Sequence, residues 1–222
     1  MDAQTRMVET IEHHARLTGA TTGRERLSPA VLDAVRRVPR DAFVPDDLAP
    51  NAWDDRPLPI GSGQTISQPF IVALMTDLLD PRPGDRMLEV GTGCGYQAAV
   101  LAQIVRTVYS IEFVRALGEA ARTRLQGLAI ENVRVGVGDG CAGWPEEAPF
   151  DGVIVTAAAP RVPPALIEQL APNGRMVVPL DTGRSGQQLY RLSKDEDGRV
   201  SREPVLPVAF VPLQGGAACS QP

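Results

Sequence analysis

From Arg86 onward the chain alternates short apolar runs with helix-like stretches, and this alternation limits the possible folds more than any other feature. The runs that predict strands are Met87–Val90, Val108–Ile111, Val133–Val137, Val153–Thr156 and Met176–Pro179. Helical segments at about 96–105, 113–128 and 164–170 separate them. A strand that is followed by a helix and then another strand returns parallel to the first, and the helices must cover both faces of the sheet. The expectation is a single α/β domain with a mostly parallel, Rossmann-like sheet. Two later runs, Gln188–Leu192 and Val205–Val211, flank the charged turn Asp195-Glu196-Asp197-Gly198 and predict an antiparallel pair that completes the sheet.

The first third reads differently. Met7, Val8, Ile11 and Ala15 recur at helical spacing within residues 5–17. Ser28-Pro29 predicts a capped helix start with proline at its first position, and Pro39 stops that helix. Residues 45–63 are rich in proline and glycine and predict a long loop, of the kind that usually carries function. A further helix is expected over Ser67–Leu79, with Ser67 at its cap. This divides the chain into a helical segment or lid (1–45), a loop and helix (46–80), a ligand-binding domain (81–214) and a flexible tail (215–222).

Composition excludes several classes. A net charge of −5 argues against a nucleic-acid binder. No run approaches the length of a membrane span, and no apolar signal core opens the chain, so a cytoplasmic protein without a membrane partner is expected. Cys94, Cys141 and Cys219 form an odd set without metal-ligand spacing, which fits a reducing compartment and no metal site. His13 and His14 read as two solvated histidines.

The sharpest local signal is Glu89-Val90-Gly91-Thr92-Gly93-Cys94-Gly95, after a predicted strand and opening a predicted helix. Glycines there permit positive φ and let a ligand approach the backbone, although a tight turn without ligand has the same look. Glu112 closes the next strand about twenty residues on, where an acidic side chain takes both ribose hydroxyls. The pair fits either a nicotinamide cofactor or S-adenosylmethionine. The G-x-G-x-G spacing departs from the dinucleotide fingerprint, and Glu89 supplies the acidic residue that the methyltransferase pattern places at the end of its first strand. After the third strand comes Gly138-Asp139-Gly140, where Asp139 is either a turn residue or an acceptor for an adenine amino group.

Taken with Val38-Pro39-Arg40, Phe43-Val44-Pro45, Leu58–Pro69 (containing Gly63-Gln64-Thr65-Ile66-Ser67-Gln68-Pro69), Thr156–Ala159 and Phe210-Val211-Pro212-Leu213, the chain resembles the protein-L-isoaspartate (D-aspartate) O-methyltransferase family. The resemblance runs from about residue 30 to Leu213. It implies a single-domain class I methyltransferase that uses S-adenosyl-L-methionine, releases S-adenosyl-L-homocysteine and acts as a cytosolic repair enzyme. Its partners would be isoaspartyl-containing proteins and peptides, and the chain would be a monomer. Carried over residue by residue, the resemblance makes Ser67 and Thr65 the catalytic pair. It assigns cofactor contacts to Thr65, Ile66, Ser67, Glu89, Gly91, Thr92, Gly93, Cys94, Gly95, Glu112, Phe113, Asp139 and Gly140. A carboxyl methyltransferase dedicated to one peptide is the alternative with the same chemistry.

That chemistry suits these residues. A carboxylate is ionised at neutral pH and needs no general base to attack a sulfonium methyl. The protein must position and desolvate it, and the Thr65 and Ser67 hydroxyls are donors suited to orient it.

Overall fold

The computed structural model describes residues 2–183 and 186–215, so the expected tail lies outside it apart from Gly215. Helix α1 (Ala3–Thr22) buries Met7, Val8, Ile11 and Ala15 and outruns the predicted 5–17 span, ending on Gly23 in the left-handed region at φ 67°. Helix α2 (Pro29–Arg37) starts as its sequence demands, with Pro29 in the first turn and the Ser28 side chain accepting from the Val31 N–H.

The stretch expected to be a long loop is more ordered than its composition suggests. Two 3-10 turns, Arg40–Phe43 and Asp46–Asn51, lead into a hairpin of β1 (Leu58–Gly61) and β2 (Gln64–Ile66). Gly61 pairs with Gln64, leaving a two-residue turn in which Ser62 and Gly63 hold φ 52° and 70°. Paired positive φ values are what a tight hairpin turn needs to match the twist of its strands.

Helix α3 (Pro69–Leu78) corrects one expectation: its N-cap is Gln68, not Ser67, and no side chain next to it in sequence caps it. The cap comes from Asp55, whose Oδ1 accepts from the Phe70 N–H at 2.7 Å while its Oδ2 accepts from Gln68 Nε2 at 2.9 Å. Pro69 sets the start of the helix, since its missing N–H costs nothing in the first turn. The orphan donor that follows is met by a carboxylate from the preceding loop.

Seven strands form the main sheet: β3 (Arg86–Val90), β4 (Thr107–Glu112), β5 (Val133–Val137), β6 (Phe150–Val155), β7 (Leu170–Asp181), β8 (Gln187–Lys194) and β9 (Val200–Val208). Helices α4 (Tyr96–Ala102), α5 (Arg115–Gly127) and α6 (Pro164–Glu168) lie between them. The order is β5-β4-β3-β6-β7-β8-β9, parallel from β5 to β7, with β8 and β9 antiparallel as expected. The alternation of side chains along each strand builds two cores. Met87, Val108, Ile154 and Val177 pack on the face that the N-terminal helices cover. Leu88, Tyr109, Val153 and Met176 pack on the other with Leu166 of α6.

The predicted run to Val211 overshoots β9, which ends at Val208. Beyond it the chain leaves the sheet and pins itself to the loop after β6: the Ala158 N–H donates to Val211 O, and the Leu213 N–H donates to Ala158 O, both at 2.8 Å.

Candidate active site

Chain order reverses direction across the sheet between β3 and β6, and in an open α/β sheet the ligand crevice lies outside the strand ends at such a switch point. The glycine loop occupies that place. Gly91, Gly93 and Gly95 hold φ 98°, 53° and 93°, conformations that L side chains rarely adopt. At Gly91 there is no room for a side chain in any case, because a Cβ would collide with Thr156 Oγ1. That hydroxyl donates to Gly91 O at 2.6 Å and so locks the loop to the end of β6.

Glu112, buried at the end of β4, binds the loop from the other side. Its Oε2 accepts from the Gly93 N–H at 2.7 Å and its Oε1 from the Val114 N–H at 2.9 Å. A carboxylate has about four acceptor positions, so each oxygen keeps one for a hydroxyl in the cavity that Glu112 lines. Phe113 and Gly140 line the same cavity, and Phe113 is half-exposed beside it. Positive-φ backbone, a carboxylate with spare acceptor positions and an apolar ring make a donor and acceptor set that fits an adenosyl group with a ribose diol.

Three of the sequence-assigned cofactor residues do not reach the wall. Gly95 instead serves as the N-cap of α4. Asp139 Oδ1 accepts from the Cys141 N–H at 3.0 Å, capping the 3-10 turn Gly140–Ala142, as its turn reading suggests. Glu89 is fully buried beneath the loop, where it accepts from the Ser110 hydroxyl, and Ser110 Oγ lies 2.5 Å from Thr92 Oγ1. Burial pushes the Glu89 carboxyl up to about 8, Ser110 pulling against it and Glu112 adding to it. The Glu89 side chain supports the loop through Ser110 and Thr92. The remaining assigned residues, Thr65, Ile66, Ser67, Gly91, Thr92, Gly93 and Cys94, all line the cavity. Burial pushes the Cys94 thiol up to about 11, which keeps it neutral. Cys141 is disulfide-bonded, which the cysteine count did not predict.

The loop between α2 and α3 is held by a residue that sequence reasoning left without a role. Arg40 is fully buried and donates to three backbone carbonyls: Ala52, Arg56 at 3.1 Å and Ser67 at 3.0 Å. Burial without a carboxylate partner pulls its pKa down. Thr156 and the Val211–Gln214 wall were also missed as site residues. Thr156 and Val211–Leu213 lie in runs that the family resemblance quotes, and Gln214 just beyond them, yet none carries a local chemical pattern.

A second cavity opens on the other side of Thr65 and Ser67, which line both. Its walls are largely apolar and come from α1, α3 and the end of β9. His14 lines it and is not simply solvated: its Nδ1 lies 2.6 Å from Asp55 Oδ2.

A doubly wound sheet with an acidic residue closing β4 and a glycine loop whose G-x-G-x-G spacing departs from the dinucleotide fingerprint is the arrangement of a class I S-adenosylmethionine-dependent methyltransferase. Residues 16–218 match the family model for protein-L-isoaspartate(D-aspartate) O-methyltransferase, and the chain belongs to that family. The match begins well before residue 30, where the recognisable motifs start. The chain is 54% identical over 214 residues to protein-L-isoaspartate O-methyltransferase 2 of Syntrophobacter fumaroxidans, covering 96% of this chain and 87% of that one. It is 54% identical over 209 residues to the protein of the same name from Polaromonas sp., covering 94% and 99%. Among solved structures, a protein-L-isoaspartate O-methyltransferase superposes with a TM-score of 0.82 at 27% identity, over 96% of this chain and 66% of that one. A Plasmodium falciparum protein described as a beta-aspartate methyltransferase, in complex with S-adenosyl-L-homocysteine, shares the fold with a TM-score of 0.79 at 22% identity, over 96% and 99%.

Proposed function

We propose that this chain transfers the methyl group of S-adenosyl-L-methionine to the free carboxylate of L-isoaspartyl residues in damaged proteins and peptides, with Thr65 and Ser67 orienting that carboxylate. The observation that carries this reading is the junction of the two cavities at these residues. One cavity has the backbone and carboxylate set suited to an adenosyl group, and the other is a largely apolar groove open to a peptide. Only at the junction would a peptide carboxylate meet a methyl donor.

The bound cofactor supplies an electrophilic sulfonium methyl. The protein's own part is positional. Glycine-loop backbone and Glu112 hold the adenosyl end, hydroxyl donors at Thr65 and Ser67 fix one carboxylate oxygen, and the apolar walls exclude water. No proton has to be removed, which agrees with the lack of a histidine among the residues that line the first cavity. In this reading residues 46–80 carry the substrate loop, residues 1–45 cover it and residues 81–214 bind the cofactor. No helix among the described residues is long and apolar enough to cross a membrane.

A matched pair of peptides that differ only in an isoaspartyl or aspartyl linkage tests the proposal. Base-labile methyl ester should form on the isoaspartyl peptide and very little on its twin. Equal rates on both would overturn the repair function and leave a general carboxyl methyltransferase.

A further inference from the structure

The groove beyond Ser67 holds a polar pair, His14 and the buried Asp55, that the methyl-transfer chemistry does not use. His14 and Thr18 of α1 form one wall, facing Phe70 of α3 and Phe210 beyond β9. His14 is the only titratable side chain among the residues that line this cavity. Its side chain is 35% exposed, while Asp55, which it contacts at 2.6 Å, is 6% exposed. Asp55 is itself held by Gln68 Nε2 and the Phe70 N–H. The imidazole also packs edge-on against the Phe70 ring, with centroids 5.5 Å apart. The ring is thus oriented from two sides. Asp55 takes up Nδ1, so Nε2 is the ring nitrogen left for the groove, and in an imidazole with its single proton on Nδ1 it is an acceptor.

Resting on the isoaspartyl reading above, we infer that His14 is a specificity-determining residue whose Nε2 accepts an N–H from the peptide chain flanking the methylated carboxylate. An extended peptide in the groove has unpaired backbone N–H groups, and the other walls are mainly apolar. A fixed acceptor on the α1 wall opposite β9 meets one of these donors and sets the register of the chain relative to Ser67. The Asp55 link makes the acceptor rigid, so it adds binding energy without ordering a mobile side chain.

The test separates contact from scaffolding. In His14→Asn the side-chain amide replaces Nδ1 and keeps the Asp55 bond, but nothing replaces Nε2. In His14→Gln the amide reaches the Nε2 position. Initial rates on an isoaspartyl peptide should show KM raised about tenfold in His14→Asn, kcat within about twofold and S-adenosylhomocysteine affinity unchanged, with part of the KM recovered in His14→Gln. Peptides carrying a single backbone N-methyl group on either side of the isoaspartyl residue complete a double-mutant cycle. One of them should raise KM for the wild type and have no further effect in His14→Asn. A His14→Asn enzyme with wild-type KM, or additive effects for every N-methyl peptide, would overturn the inference. A wild type inactive on the isoaspartyl peptide would instead overturn the underlying function.

Discussion

Ser67 was expected to cap α3, and the structure gives that task to Asp55. The finding sharpens what a substitution at Ser67 should do. Ser67→Ala should leave Tm close to wild type while lowering kcat/KM about ten- to hundredfold, the scale of one hydrogen bond to a charged group. Ser67→Asp should be worse, because it sets a like charge against the incoming carboxylate. Steady-state kinetics and a melting curve on both variants decide it, and near-normal turnover in Ser67→Asp would return the hydroxyl to a passive role. Glu89 gives a second residue-level expectation. Its carboxyl titrates near 8 in the fold, against a reference value of 4.5. Between those values the unfolded chain releases a proton that the native state keeps, so Glu89 makes stability fall as pH rises through that window. Glu89→Gln, which has no proton to lose, should therefore gain on wild type in Tm from pH 5 to pH 8. A constant difference across that range would mean that Glu89 is ionised in the native protein.

The hairpin and the loop before it show how an element with little apolar content of its own becomes ordered. Residues 46–57 contain two prolines and five acidic or basic side chains, and nothing in that stretch predicts a fixed path. Order comes from Arg40, whose guanidinium gathers carbonyls from Ala52, Arg56 and Ser67, and from Asp55, which ties the same loop to α3. Removing the guanidinium leaves buried acceptors unmet, each costing about 1–3 kcal/mol. Arg40→Met should therefore lose at least about 3 kcal/mol, lowering Tm by roughly 6–12 °C for a domain of this size, and should raise KM for peptide through the loosened Ser67. A Tm within about 2 °C of wild type would show that the loop is held by other contacts.

For the molecule as a whole, the first cavity draws together the glycine loop, the end of β4, the β2 hairpin strand with Ser67 and the Val211–Gln214 strap. A ligand bridging these segments should stabilise the entire fold. S-adenosylhomocysteine at about one hundred times its Kd should add about 2.7 kcal/mol and raise Tm by roughly 5–10 °C, whereas NAD should give no shift. Glu112→Ala should weaken S-adenosylhomocysteine at least about tenfold in calorimetry, since hydrogen bonds to a charged acceptor are worth about 1.5–3 kcal/mol each. Unchanged affinity would mean that the ribose sits elsewhere. Exposed large hydrophobic side chains among the described residues are Leu17, Phe113 and Val200, on separate parts of the chain. A monomer is therefore the expected mass in light scattering.

The sequence alone determined the α/β alternation, the glycine loop and the acidic residue closing β4, because each follows from constraints within a few residues. Apolar periodicity reports which faces are buried, and glycine reports where φ must be positive. The family resemblance added Thr65 and Ser67 to the site. Tertiary structure decided the rest: that Asp55 caps α3, that Arg40 clamps the loop leading to Ser67, that Glu89 and Asp139 lie outside the wall of the first cavity, and that His14 lines the second. These are pairings between residues far apart in the chain. Burial and hydrogen-bond geometry select them only after the sheet has closed, and no local pattern encodes a partner that lies on another element.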